Sequence, residues 1–144
     1  PTRVQAITIM LLGEGCAAPR LVELKSKFPI KVGDVFESEA YLRAKQRFFS
    51  IAEDLGFLKS RFVTSVVAIN RSTGQARIEL KFDTGHRYYF GTVRFNKTRL
   101  SEQFLRRYVL FRPGEPFNAQ KLIDLENQLS SSHYFQSVRV TALT

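Results

Sequence analysis

The 144 residues include 13 Phe and 5 Tyr, are 44% hydrophobic and carry a formal net charge of +9. This length allows one ordinary domain or two small ones, and the hydrophobic content is that of a globular protein rather than a disordered one. The apolar runs are short, as at 66–69, and fall far below the ~20 residues that a membrane-spanning helix needs. The chain begins PTRVQ without a Met, so we expect it to be a segment of a longer protein.

Residues with catalytic or metal-binding chemistry are sparse. Cys16 is the one cysteine, so neither an intrachain disulfide nor a cysteine-based metal cluster can form. His86 and His133 follow no metal-ligand spacing. No nucleophile, phosphate-binding or metalloprotease motif is present. We therefore expect no enzyme activity, no metal and no cofactor.

The positive charge is spread along the chain. Residues 1–85 hold 13 basic and 9 acidic residues, and residues 86–144 hold 9 and 4. A basic surface can bind nucleic acid, anionic lipid or an acidic protein, or can simply maintain solubility. The charge alone leaves these alternatives open.

The first half predicts the order strand, helix, helix, strand, strand. Residues 4–11 read as a strand, and residues 18–28 as an amphipathic helix that begins near Pro19 and stops at Pro29. A second helix runs from Ser38, its expected N-cap, to Leu55, with Gly56 as the C-cap glycine. Two β-rich runs, 60–70 and 75–83, flank RSTG and predict a hairpin.

The second half repeats this order as far as its fourth element. Residues 87–95 predict a strand, and a short helix follows, capped by Ser101 with Phe104, Leu105 and Tyr108 directed inward. Asn118 is expected to cap the next helix, which carries Leu122, Leu125 or Glu126, and Leu129 on its inner face. Residues 130–143 end this helix and form a strand.

The loops before the longer helices indicate a repeat. In IKVGDVFESEAYL and FRPGEPFNAQKL, Gly33 corresponds to Gly114 and Phe36 to Phe117. The predicted fold class is α+β, with two tandem βααββ modules that each have a small mixed sheet covered on one face by two helices. We assign them to residues 1–85 and 86–144 and expect the second to be C-terminally truncated, without its last strand.

A nucleic-acid-binding tandem domain is the alternative, because KH domains also place two helices between strands. A KH domain clamps the nucleic-acid backbone with a Gly-x-x-Gly loop. The loops here have one glycine each, followed by Asp34 or Glu115, whose charge repels phosphate. We therefore expect no nucleic-acid partner.

Three strings, GHRYYFGTVRF, PGEPFNAQKL and YFQSVRV, resemble POTRA domains. These show an aromatic-Phe-Gly-x-Val-x-Phe first strand, Gly-x-x-Phe/Tyr before the second helix, and Tyr/Trp-Phe-x-x-Val at the second strand. GDVFESEAYLRAKQRFFSIAEDLGFLKSRF shows the same block in the first half. The resemblance assigns structural-motif roles to Gly33, Phe36, Gly56, Phe57, Phe90, Gly91, Gly114, Phe117, Tyr134 and Phe135.

Within this family, the long second helix ending in DLGF, followed by DTGHRYYFGTVRF, resembles the second and third POTRA domains of the TamA subfamily. That resemblance implies a periplasmic segment preceding its own C-terminal β-barrel in the outer membrane. It also implies outer-membrane protein clients, such as autotransporters, and a TamB-like partner anchored in the inner membrane.

The resemblance further implies a binding site for extended peptides on the second strand of each module, which is the usual edge strand of the family. The truncated module offers a further edge, through which two chains could dimerise. The candidate edge residues are Arg61, Val63, Ser65, Val67, Ile69, Phe135, Ser137 and Arg139.

Overall fold

The computed structural model describes residues 1–96, 106–130 and 137–143. The chain divides into two compact units. The first comprises Pro1–Glu53 and Phe57–His86, and the second comprises Asp54–Gly56 and Arg87–Thr144. The predicted Ser101 cap, Phe104, Leu105, Tyr134 and Phe135 lie outside the described residues.

The first unit has the predicted βααββ order. Its elements are β1 (Arg3–Leu12), α1 (Pro19–Ser26), α2 (Ser38–Asp54), β2 (Arg61–Asn70) and β3 (Gln75–Asp83). The sheet order is β1-β3-β2, with β3 parallel to β1 and antiparallel to β2. Because β3 is central, β1 and β2 are the two edges of this sheet.

The core of the first unit lies between the sheet and the helices. Phe48 of α2 is fully buried, and its ring centroid lies 5.4 Å from that of Phe82 on β3 and 6.1 Å from that of Phe28. The predicted inner residues of α1, Leu21 and Leu24, are buried. These contacts confirm that the helices cover one face of a mixed sheet.

Both ends of α2 are set by local backbone geometry. The Phe57 N–H donates to the Ala52 carbonyl at 2.8 Å, and Gly56 has φ +95°. This is the Schellman arrangement, in which a glycine follows the helix in the left-handed region. At the other end the Tyr41 N–H donates to the Glu37 carbonyl. Glu37 therefore occupies the N-cap position, and the prediction that Ser38 occupies it is wrong by one residue.

The described part of the second unit contains β4 (Tyr89–Asn96), a 3₁₀ turn (Arg106–Tyr108), α3 (Ala119–Ser130) and β5 (Ser137–Leu143). Strands β4 and β5 pair directly and antiparallel, giving a two-stranded sheet among the described residues.

Side chains of the second unit pack around Phe90, which is fully buried and stacks on Phe111 with a 3.9 Å centroid separation. On α3 the buried residues are Leu125 and Leu129, whereas Glu126 is exposed. This arrangement resolves the alternative between Leu125 and Glu126. Tyr108, predicted to point inward, is 37% exposed in the 3₁₀ turn, so that prediction is wrong. A single 3₁₀ turn does not present the regular inner face on which the prediction depended.

Candidate protein-interaction site

The loop before α2 is fastened to the first strand of its own unit. The Gly33 N–H donates to the Val4 carbonyl at 2.7 Å, and the Val4 N–H donates to the Asp34 carbonyl at 2.9 Å. The Phe36 N–H donates to the Thr2 carbonyl at 2.8 Å. Gly33 has φ +97°, which favours glycine because it has no Cβ to clash with the backbone.

The loop before α3 makes the same contacts in the second unit. The Gly114 N–H donates to the Phe90 carbonyl at 2.7 Å, the Phe90 N–H to the Glu115 carbonyl at 2.7 Å, and the Phe117 N–H to the Tyr88 carbonyl at 2.8 Å. Because internal carbonyls use the glycine N–H groups of both loops, these groups do not form a phosphate-binding cradle. This geometry does not favour a KH-type clamp.

The motif residues of these segments lie in or beside the cores. Phe57 and Phe117 are buried and Phe36 is half-buried. A Cβ placed on Gly56 would lie 2.8 Å from the Phe117 carbonyl oxygen, and one on Gly91 would lie 2.8 Å from the Thr141 Cβ. Glycine is required at both positions because neighbouring atoms approach the backbone closely.

The outer side of β2 is the candidate edge in the first unit. Among the described residues β2 pairs with β3 alone, so one side of its backbone is left without a strand partner. Such an edge can accept an extended peptide, because each added strand uses main-chain hydrogen bonds that demand little of its sequence. Three aliphatic side chains of this strand are exposed: Val63 by 43%, Val66 by 47% and Ile69 by 49%.

A β-bulge changes how the candidate residues of β2 are arranged. The register with β3 shifts between Phe62 and Thr64, so Val63 is the extra residue. Phe62 and Ser65 consequently face the same side of the sheet, toward α2. Val67 and Ile69 share that side, whereas Arg61 faces the other. Sequence alternation did not reveal this bulge, because no glycine or proline marks it.

Ser65 is held by α2. Its Oγ lies 2.9 Å from the Tyr41 hydroxyl and accepts a 2.6 Å hydrogen bond from the Lys45 Nζ. The Lys45 ammonium also lies 5.0 Å from the Phe62 ring centroid, within cation–π range. Sequence reasoning selected Ser65 but missed Tyr41 and Lys45, which hold the middle of the edge strand against the helix.

The corresponding strand of the second unit is β5. Ser137 and Arg139 pair through their backbones with Asn96 and Arg94 of β4. In the first unit, by contrast, the second strand pairs with the third and not with the first.

Residues 1–96, 106–130 and 137–143 contain neither a metal-ligand cluster nor a membrane-spanning helix. No group of three His, Cys, Asp or Glu side chains is arranged there to hold a metal ion. No helix in these ranges is long and apolar enough to cross a bilayer.

Comparisons with known proteins agree with this geometry. Residues 88–143 match the POTRA family, described as a surface antigen variable number repeat. In structure, the chain is similar to POTRA domains 3–5 of BamA from Haemophilus influenzae, with a TM-score of 0.63 and 18% identity over 96% of this chain and 53% of that one.

The chain is also similar to BamA from Haemophilus ducreyi lacking POTRA domains 1–3. The TM-score is 0.70 and the identity 17%, over 95% of this chain and 25% of that one. The chain thus spans about half of the first structure and a quarter of the second. Residues 88–143 match the POTRA family, and the chain as a whole has the fold of these BamA POTRA domains.

Proposed function

We propose that the chain is a periplasmic protein-interaction segment of an outer-membrane β-barrel assembly protein. The POTRA match and the structural similarity to BamA POTRA domains support this proposal. The segment consists of two tandem modules, residues 1–85 and 86–144. In this proposal it binds outer-membrane proteins before they insert and has no enzymatic activity of its own.

The observation that carries the proposal is the outer edge of β2. It combines a strand side without a partner in the described sheet with exposed Val63, Val66 and Ile69. Exposed aliphatic side chains on an unpaired edge would favour aggregation unless another chain covers them, at least transiently. A client segment in extended conformation provides that cover and completes the hydrogen bonds of the edge.

The finer assignment is to the TamA type. It depends on the long α2 ending in DLGF and on the DTGHRYYFGTVRF string that follows β3. On this assignment the clients include autotransporters, and the partners are a TamB-like protein and the chain's own C-terminal β-barrel. Dimerisation through β5 is a separate part of the proposal, since β5 pairs with β4 on one side only among the described strands.

Proline substitution in β2 tests the edge. Successive residues of a strand direct their N–H groups to opposite sides, so of Val67→Pro and Ala68→Pro one removes a hydrogen bond to β3 and the other removes an outward N–H. We expect the variant that loses the hydrogen bond to β3 to be clearly less stable. We expect the variant that loses the outward N–H to remain folded but to lose binding to a peptide derived from an outer-membrane barrel strand, measured by fluorescence anisotropy.

Each proline variant is the control for the other. If the stable variant binds the barrel-strand peptide as tightly as the unsubstituted chain, β2 is not the receiving edge. Binding of RNA or DNA that weakens steeply with salt, without binding of the peptide, would instead support a nucleic-acid function.

A further inference from the structure

The edge opposite β2 is already partly occupied by the chain itself. The segment 31–36 lies antiparallel beside the start of β1, with a bridge between Arg3 and Val35. Its hydrogen bonds from Val4 to Asp34 and from Phe36 to Thr2 are those of a short added strand. The outer side of β1 is therefore shaped to accept an extended backbone.

The segment 31–36 covers only the start of β1. In the described sheet no strand pairs with the outer side of Ile7–Leu12, because β1 is the terminal strand. A groove of about 260 Å³ lies beside this stretch. Its lining includes the apolar side chains of Ile7, Ile9, Phe28 and Ile30 together with Lys25 and Lys31.

The chemistry of the groove is apolar and cationic. Val32, which also lines it, is 64% exposed, a large fraction for an aliphatic side chain. Lys25 and Lys31 are exposed, and no carboxylate is among the lining residues. An occupant that places apolar side chains against Ile7 and Ile9 and carboxylates near the two lysines would complement both features.

We propose that this groove binds an extended, acidic segment of a partner protein, which adds to β1 as a strand beyond the point where residues 31–36 leave it. Alternate side chains of the segment are apolar and pack into the groove, and neighbouring acidic residues contact Lys25 and Lys31. A strand is favoured over a lipid or a nucleic acid because the unpaired backbone of β1 needs hydrogen-bond partners. Two lysines also neutralise few phosphates.

This site is distinct from the β2 edge of the proposed function, because β3 separates β1 from β2 in the sheet. A partner could therefore bind at β1 while a client binds at β2. The β1 proposal does not depend on the β2 proposal, and each can fail alone.

The first test is a binding measurement with the whole chain. The probe is a fluorescent synthetic peptide of about eight residues, enough to span Ile7–Leu12, with alternate valines flanked by aspartates. We expect the double variant Lys25→Glu, Lys31→Glu to bind it about tenfold more weakly. The control is Lys59→Glu, Arg71→Glu, which changes the net charge equally at exposed positions outside the groove.

We expect the control to change the affinity less than about twofold, because exposed charges distant from a site are screened by salt. Equal losses in the two double variants would show general charge attraction and overturn the proposal. Absence of binding by the unsubstituted chain would also overturn it. Circular dichroism confirms that each variant is folded before it is compared.

The second test locates the peptide by disulfide trapping. In a Cys16→Ser background, a cysteine is placed in the groove by Ser26→Cys or on the other edge by Val63→Cys, and the peptide carries a terminal cysteine. We expect the disulfide to form with Ser26→Cys, which lines the groove. A disulfide that forms only with Val63→Cys, or with neither variant, contradicts the proposed location.

Discussion

The two units share one loop geometry but differ in their sheets. In each unit the loop glycine donates to the first strand at 2.7 Å, and the residue after it closes a turn at 3.1 Å, from Asp34 to Lys31 and from Glu115 to Arg112. Yet the first sheet has the order β1-β3-β2, whereas in the second β5 lies directly beside β4.

This difference shows which part of the module the Gly-x-x-Phe motif controls. The motif sets a turn with positive φ and joins it to the first strand by three hydrogen bonds. In the first unit the third strand, β3, lies between the first strand and β2, whereas the described part of the second unit contains no third strand and β5 pairs with β4 directly. The loop geometry is local to the motif and is the same in both units, although the strands available for pairing differ.

The largest expected loss of stability comes from substituting the first-strand residue whose carbonyl accepts the hydrogen bond from the loop glycine. Phe90 in the second unit and Val4 in the first occupy this position, and both are buried. Phe90→Ala removes a ring stacked on Phe111 and should lower the free energy of unfolding by about 3–5 kcal/mol. Val4→Ala should cost about 1–3 kcal/mol, because fewer buried carbons are lost. Urea unfolding measures both, and equal losses would contradict the comparison.

A smaller effect is expected at the loop glycines. Gly33 and Gly114 have φ +97° and +92°, and no atom lies within 4 Å of a Cβ placed on either. Alanine at each site should therefore lower the free energy of unfolding by about 1–2 kcal/mol through backbone strain alone. The loss should be similar in the two units. Gly114→Val should cost more because its side chain is branched. Unchanged thermal stability of the Gly114 variants would contradict the shared geometry.

The smallest effect is expected at the helix caps, where the units differ. The Asn118 side-chain oxygen accepts hydrogen bonds from the Gln120 and Lys121 N–H groups at 2.9 and 3.2 Å. Glu37 holds the equivalent position before α2. Asn118→Ala should lower the free energy of unfolding by about 1 kcal/mol, and Glu37→Asn should raise it by at most about 1 kcal/mol. Thermal melting of both variants checks this, and a loss of stability in Glu37→Asn would show that the two helix starts are not equivalent.

Features fixed by local chemistry could be predicted from the sequence. The hairpin at Arg71–Gly74 and the Asn118 cap follow from residue types at neighbouring positions, and the structure confirms them. The α+β class and the βααββ order of the first unit also follow from periodicity and glycine placement. One cap was wrongly placed, because Ser38 is the more usual capping residue and Glu37 adopts the position through its backbone carbonyl.

Features that depend on distant contacts could not be predicted. The bulge at Val63 leaves no mark in residue type, and it determines which β2 side chains face α2. The contacts of Ser65 with Tyr41 and Lys45 join positions 24 and 20 residues apart. The groove beside β1 likewise requires α1, the segment after it and the strand to be placed together.

The most direct test of the central claim is amide hydrogen exchange on β2, measured by NMR with and without the barrel-strand peptide. The amides of β2 that pair with β3 should exchange slowly in both states. We predict that the alternate amides, which point to the outer side, become protected when the peptide is added, while those of α1 and α2 do not change. Unchanged exchange of the outward β2 amides in the presence of bound peptide would contradict the claim that β2 receives extended clients.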